Sequence, residues 1–157
     1  MATYGCTVEW SRGSAAFTDR KYSRAHSWHF DGGAVVPGSS SPHSVPVPCS
    51  DPAAVDPEEA LVAAVSSCHM LWFLSLAADQ GYLIDSYRDA AEAQLGPIGY
   101  GRQGVTDIVL RPQVTFSGAQ HPDQAAVDAL HRVAHERCYI ANSLRTAVRV
   151  EGGWQVA

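Results

Sequence analysis

The sequence predicts an α+β fold on three observations: β-type alternation near the start, two separate stretches of helical periodicity, and a glycine-rich hairpin signal between them. Strands and helices do not alternate in the regular way that a doubly wound sheet requires.

In order, Thr3 to Arg12 carries alternating Tyr4, Val8 and Trp10 and reads as an opening strand. In 22-YSRAHSWHF-30 a period of two places Tyr22, Arg24, His26, Trp28 and Phe30 on one face of a second strand. The segment 31–56 is dense in Gly, Pro and Ser and reads as a loop or lid, with at most a short strand at Ala34 to Val36. Asp56-Pro57-Glu58-Glu59 then opens a helix: Asp56 is the N-cap, Pro57 takes the first helical position, and Glu59 can close a capping box. That helix runs to about Asp79, with Gly81 as its stop. Tyr87 to Leu95 and Val105 to Phe116 follow as strands joined by 96-GPIGYGRQG-104. His121-Pro122-Asp123 starts a second helix with Val127, Leu130, Val133, Ala134 and Cys138 on its apolar side, and Arg145 to Glu151 is the last strand.

With 157 residues, 46% of them hydrophobic and 17% charged, the chain reads as one globular domain over 1–157. Its net charge of −5 and lack of a Lys/Arg cluster argue against nucleic acids and anionic membranes as partners. A small molecule or a second copy of the chain is expected instead. The start shows no basic leader with an apolar core, so a reducing, cytoplasmic setting is the default expectation. Ala60 to Ala78 lacks charged residues and approaches the length of a membrane span. Ser66, Ser67, His69 and Ser75 interrupt it and acidic residues close both ends, so a soluble helix buried on most sides is the better reading.

The chemistry centres on 63-AAVSSCHMLWFL-74. Cys68 falls in the stripe Leu61, Val65, Cys68, Trp72, Leu76, and His69 in the neighbouring one with Val62 and Phe73. A cysteine in such a stripe is commonly a small hydrophobe. Cys138 ends the second helix on its buried side, so two packed helices could bring the thiols within disulfide range. A reactive thiol in an apolar helix needs a cation to offset desolvation, with Arg24 the first candidate and Arg20 the second. His69 points about 100° away from Cys68 and reads as a structural, hydrogen-bonded histidine. His131, His135 and Cys138 at i, i+4 and i+7 form a weaker, metal-like pattern that lacks a Cys-x-x-Cys. The glycine-rich 96–104 segment lacks the Lys-Ser/Thr of a phosphate loop, and Ser66-Ser67 lacks the glycine frame of a nucleophile elbow.

Two segments, 56-DPEEALVAAVSSCHMLWFLSLAA-78 and 131-HRVAHERCYIANSL-144, resemble the central and later helices of the OsmC/Ohr family of thiol peroxidases, and the order of elements agrees over nearly the whole chain. The resemblance implies an OsmC-like fold with antiparallel sheets around a long buried central helix, and an intertwined homodimer with its site at the subunit interface. It implies that Cys68 is the peroxidatic thiolate, Cys138 the resolving cysteine and Glu58 a carboxylate orienting an arginine near the thiolate. Arg12, Arg20 and Arg24 lie in the region of that arginine, and Arg24 is preferred for its aromatic company. Trp72, Phe73, Tyr139 and Ile140 are the expected apolar walls for an organic hydroperoxide. No metal or flavin cofactor is called for, and an external dithiol is the expected reductant. Glu58 and Cys68 are ten helical residues apart, about 15 Å. Either the helix breaks, or Glu58 acts through an arginine or on the partner's site.

The later cysteine is followed by Tyr139-Ile140-Ala141-Asn142-Ser143, where better-known members have proline. Cys49 is expected to be exposed and Cys6 to pack within the first strand. The alternatives are an OsmC-fold protein that binds a small apolar ligand without turnover, and a redox-sensing or metal-binding protein.

Overall fold

The computed structural model describes residues 1–157, which divide into two units, Met1–Ala60 and Leu61–Ala157. In the first, β1 (Cys6–Glu9), β2 (His26–Phe30) and β3 (Val35–Gly38) form an antiparallel sheet in the order β1-β2-β3. The second strand is shorter than its alternation suggests, and Arg24 precedes it. Gly38 is required where β3 crosses β2, because a Cβ there would lie 2.5 Å from His26 Nε2 and 3.0 Å from Trp28 Nε1.

The Gly/Pro/Ser-rich segment is tied down internally. Ser39 N–H donates to the Val55 carbonyl at 3.0 Å, Asp51 N–H to Ser39 Oγ at 2.9 Å, and Arg24 N–H to the Cys49 carbonyl at 2.8 Å. Such bonds satisfy backbone groups that a loop leaves unpaired. They account for the buried Ser39, while the likewise buried Ser50 Oγ has no partner. Cys49 is half-buried, whereas Cys6 in β1 is exposed, the reverse of the expectation for both cysteines.

The long helix α1 (Pro57–Asp79) has the anticipated capping box: Glu59 N–H donates to Asp56 Oδ1 at 2.8 Å and Asp56 N–H to Glu59 Oε2 at 3.1 Å. Gly81, at φ +79°, supplies the left-handed residue after its end. The helix is long and apolar enough to cross a membrane by length and composition, yet only Val65, His69, Phe73, Leu76 and Ala77 are buried in it. Burial on most sides is therefore corrected to burial of one stripe. The covered stripe runs through Val65, His69, Phe73, Leu76 and Ala77, taking members of both stripes read from the sequence; Cys68 is only partly covered and Leu71 is exposed in the single chain.

The expected hairpin forms, but both of its arms bend. One arm comprises β4 (Leu83–Asp89) and β5 (Glu92–Pro97), the other β6 (Gln103–Leu110) and β7 (Pro112–Ser117). The last strand is likewise split into β8 (Ala147–Val150) and β9 (Gly153–Val156), giving two sheets in the orders β5-β6-β8 and β4-β7-β9. Each hairpin arm pairs antiparallel with the other, but β8 and β9 run parallel to β6 and β7, so the sheets are mixed and not purely antiparallel. The bend has a chemical anchor in Asp89, whose carboxylate accepts from Arg111 N–H and from Ser66 Oγ–H, each at 2.6 Å. Gly152 lets the third strand pass, since a Cβ there would lie 2.8 Å from the Pro112 carbonyl oxygen.

Helix α2 (Gln124–Arg137) is capped by Asp123, whose side chain accepts from Ala126 N–H at 2.8 Å. The main core joins Phe73, Leu76 and Ala77 of α1 to Val114 and Phe116 of β7 and to Val127, Leu130 and Ala134 of α2. A smaller cluster holds Val65, Ile108 and Leu110. Burial of each large side chain stabilises the fold by about 2–3 kcal/mol.

Candidate active site

Cys138 is the hinge between α2 and the short α3 (Tyr139–Asn142), closing one and capping the other. Its Sγ accepts from Ala141 N–H at 3.4 Å and lies 4.0 Å from the Val65 carbonyl oxygen. The side chain is fully buried. Cys68, partly exposed on the facing stripe of α1, is within hydrogen-bonding reach of it. Two thiols remote in sequence therefore meet, both reduced. Burial pushes the Cys138 thiol up, an effect that the Ala141 N–H offsets in part and Cys68 reinforces. Cys138 accordingly rests as a thiol, its S–H facing the Val65 carbonyl.

Cys68 opens onto a hollow of about 530 Å³ lined by Ala64, Ser67, Leu71, Trp72, Ser75, Tyr139 and Ile140. Trp72 and Tyr139 meet edge to face at 5.7 Å, and the Arg137 guanidinium stands 5.5 Å over the Trp72 ring. Of the four expected wall residues, Trp72, Tyr139 and Ile140 line this hollow. Phe73 does not: it is fully buried in the main core, against Phe116, Tyr87 and His131, because the helical step from Trp72 turns it to the covered stripe.

The first unit contains a second hollow, of about 520 Å³, in which Arg24 and Glu58 sit with Trp10, Phe17, Tyr22 and His26. Arg24 stacks on Tyr22 at 3.9 Å and donates to the carbonyls of Arg20, at 2.8 Å, and of Tyr22. Its aromatic company comes from this cluster, in which Trp10, Phe17 and Tyr22 lie within 6.1 Å of one another, and not from a strand face. Arg12 donates to the Ala15 carbonyl and Arg20 occupies a positive-φ turn at 62°. Helix α1 is unbroken from Pro57 to Asp79, which removes the helix break as a way of joining Glu58 to Cys68.

The residue that sequence reasoning undervalued is His131. His69, 1% exposed, and His131 share a hydrogen bond of 3.0 Å between Nε2 and Nδ1, their rings inclined by 11°. Burial foremost holds both imidazoles down at about 4. The only cue in the sequence is that both fall on buried stripes of their helices. His131, His135 and Cys138 do not converge, and no group of three His, Cys, Asp or Glu side chains is placed to hold a metal ion.

Comparison with known proteins adds a family model, described as OsmC-like protein, that matches residues 50–152. The chain is 54% identical to an OsmC-like protein of unknown function from Vibrio cholerae, covering 97% of this chain and 99% of that one with a TM-score of 0.95. It also shares its fold with an organic hydroperoxide resistance protein from Elizabethkingia anophelis, solved with crystallant-derived thiocyanate bound (16% identity, 100% and 98% coverage, TM-score 0.69). A third is the organic hydroperoxide resistance protein OsmC from Legionella pneumophila (17% identity, 99% of both chains, TM-score 0.67). No curated protein matches.

Proposed function

Because the chain belongs to the OsmC-like protein family, we propose that it is a cysteine-based peroxidase that reduces organic hydroperoxides. The observation that carries this reading is the meeting of Cys68 and Cys138 beside an apolar hollow. The Cys68 thiolate attacks the terminal oxygen of ROOH, breaking the O–O bond; ROH leaves with a proton and Cys68 becomes a sulfenic acid. The Cys138 sulfur then attacks the Cys68 sulfur, water departs, and a disulfide closes. An external dithiol reopens it by thiol–disulfide exchange and is itself oxidised to a disulfide. A reducing compartment such as the cytoplasm suits this cycle.

The raised Cys138 thiol supports the division of labour, since a thiol that holds its proton is the poorer first nucleophile and the more exposed Cys68 suits attack; Cys138 gives up its proton as it closes the disulfide. Trp72, Tyr139 and Ile140 would bury the organic tail of the substrate, favouring alkyl over hydrogen peroxide. The activating cation is assigned to Arg24, oriented by Glu58, with which it shares a hollow.

That assignment goes with a homodimer in which the Arg24–Glu58 hollow of one protomer serves Cys68 of the other. Uncovered apolar surface supports a second copy: Leu71 is 64% exposed, and Val8, Phe17 and Val35 in the first unit are exposed as well. Turnover tests the reading. Wild-type protein should consume cumene hydroperoxide catalytically with a dithiol, and Cys68→Ser should not; consumption that survives the substitution would exclude it.

A further inference from the structure

Nothing in the proposed chemistry uses the pair formed by the buried His69 and the half-buried His131, yet its position is specific. His69 follows Cys68 directly on α1, and His131 precedes Cys138 by two turns of α2. Around them the contact between the helices is otherwise apolar, made by Phe73, Leu76 and Ala77 against Val127, Leu130 and Ala134. Apolar side chains tolerate small slides, whereas a single N–H···N bond is directional and costs free energy when broken with one ring fully buried. His131 is further clamped by Phe73, whose ring stacks on it at 4.3 Å.

Resting on the proposed peroxidase reading, we propose that the His69–His131 hydrogen bond is a positioning device for disulfide formation, fixing the register of α1 against α2 that holds the Cys68 and Cys138 thiols together. One neutral imidazole donates and the other accepts, so the device works while both are neutral. His69 Nδ1 has no partner; its cheaper state is the bare acceptor, which places the shared proton on His69 Nε2 and makes His131 Nδ1 the acceptor.

The charged and titratable surroundings agree with a neutral pair. Helix α2 brings His135, which opposes protonation of His69, and Asp128, which favours protonation of His131. The bend of the sheet brings Asp89, whose carboxylate is already bonded to Ser66 and Arg111, and β4 brings Tyr87, which burial keeps neutral. Desolvation outweighs both carboxylates, and the pair stays neutral down to about pH 5. Adding one proton to each ring would set two N–H donors face to face and open the contact.

The test reads the geometry without peroxide. Wild type, His131→Phe and the double variant His69→Gln/His131→Asn are equilibrated at pH 7 in glutathione buffers of graded ratio, and the Cys68–Cys138 disulfide is quantified by mass spectrometry. In the double variant the Gln amide stands in for Nε2 and the Asn amide for Nδ1, so the hydrogen bond is retained. His131→Phe should lower the equilibrium constant for the disulfide about tenfold, or ~30 mV. The double variant should restore wild-type behaviour. A folded His131→Phe protein with the wild-type constant overturns the proposal, as does wild type that forms no such disulfide. Should His131→Phe not fold, His69→Gln/His131→Leu takes its place against the bond-keeping pair: a tenfold gap supports the proposal and equality overturns it. Wild type that forms the disulfide in glutathione but ignores hydroperoxides would sink the peroxidase reading and leave this inference standing.

Discussion

Lowering the pH from 7 to 5 should destabilise this protein far more than its surface charges account for. Histidine in an unfolded chain titrates near 6.5, whereas His69 and His131 are held at about 4 in the fold. Between those values the unfolded state binds protons that the native state refuses, so the contribution of the pair is complete above pH 6.5 and is lost as the pH falls towards 4. By pH 5 each ring has crossed 1.5 of that interval. At about 1.4 kcal/mol per pH unit this is about 2 kcal/mol for each histidine and about 4 kcal/mol for the pair. That is a large part of the 5–15 kcal/mol by which domains are typically stable. Asp107, held below the usual carboxylate range by its hydrogen bond to Arg149, contributes above that range and is lost only at lower pH, outside this window. Urea unfolding at pH 7 and pH 5, at one protein concentration, measures the effect in wild type and in His69→Gln/His131→Asn, which has nothing to titrate at these positions. Wild type should lose about 4 kcal/mol more than the variant. Equal losses would refute a pair held neutral by desolvation.

Other expectations follow from burial and caps. Phe73→Ala, which empties a site at the centre of the main core, should cost about 3–5 kcal/mol in urea unfolding, and Asp123→Ala, which removes the α2 cap, about 1 kcal/mol. Trp72→Ala should raise KM for cumene hydroperoxide while leaving hydrogen peroxide reduction nearly unchanged; equal wild-type efficiency on the two peroxides would contradict an apolar substrate site. Cys138→Ser should retain one turnover per subunit and accumulate a Cys68 sulfenic acid that dimedone traps, and a variant that yields no adduct would count against Cys138 as the resolving group.

What could be read from the sequence depended on the range of the interaction. The capping box at Asp56 and Glu59, the stop at Gly81 and the cap at Asp123 are local devices, and the helices begin and end where those residues indicate. Helical periodicity identified two apolar stripes on α1, but the covered face takes Val65 and Leu76 from one and His69 and Phe73 from the other: that depends on α2 and the sheet, and it moved Phe73 from the expected wall into the core. The bends in the hairpin arms were illegible, because Asp89 makes them by bonding Arg111 and Ser66, both far along the chain. His131 was seen only as a step in a metal-like spacing, since a helical wheel shows neighbours on one helix and not the imidazole that meets it from another. Arg24 kept its aromatic company although the strand that was to supply it begins two residues later.

In the proposed cycle Cys68 takes the oxygen and Cys138 closes the disulfide. Its most direct test is to treat the reduced protein with one equivalent of an organic hydroperoxide, quench with an alkylating agent and map the four cysteines by mass spectrometry. A Cys68–Cys138 disulfide, with Cys6 and Cys49 alkylated as free thiols, is the predicted result. A Cys68 that remains reduced while the peroxide persists would contradict it.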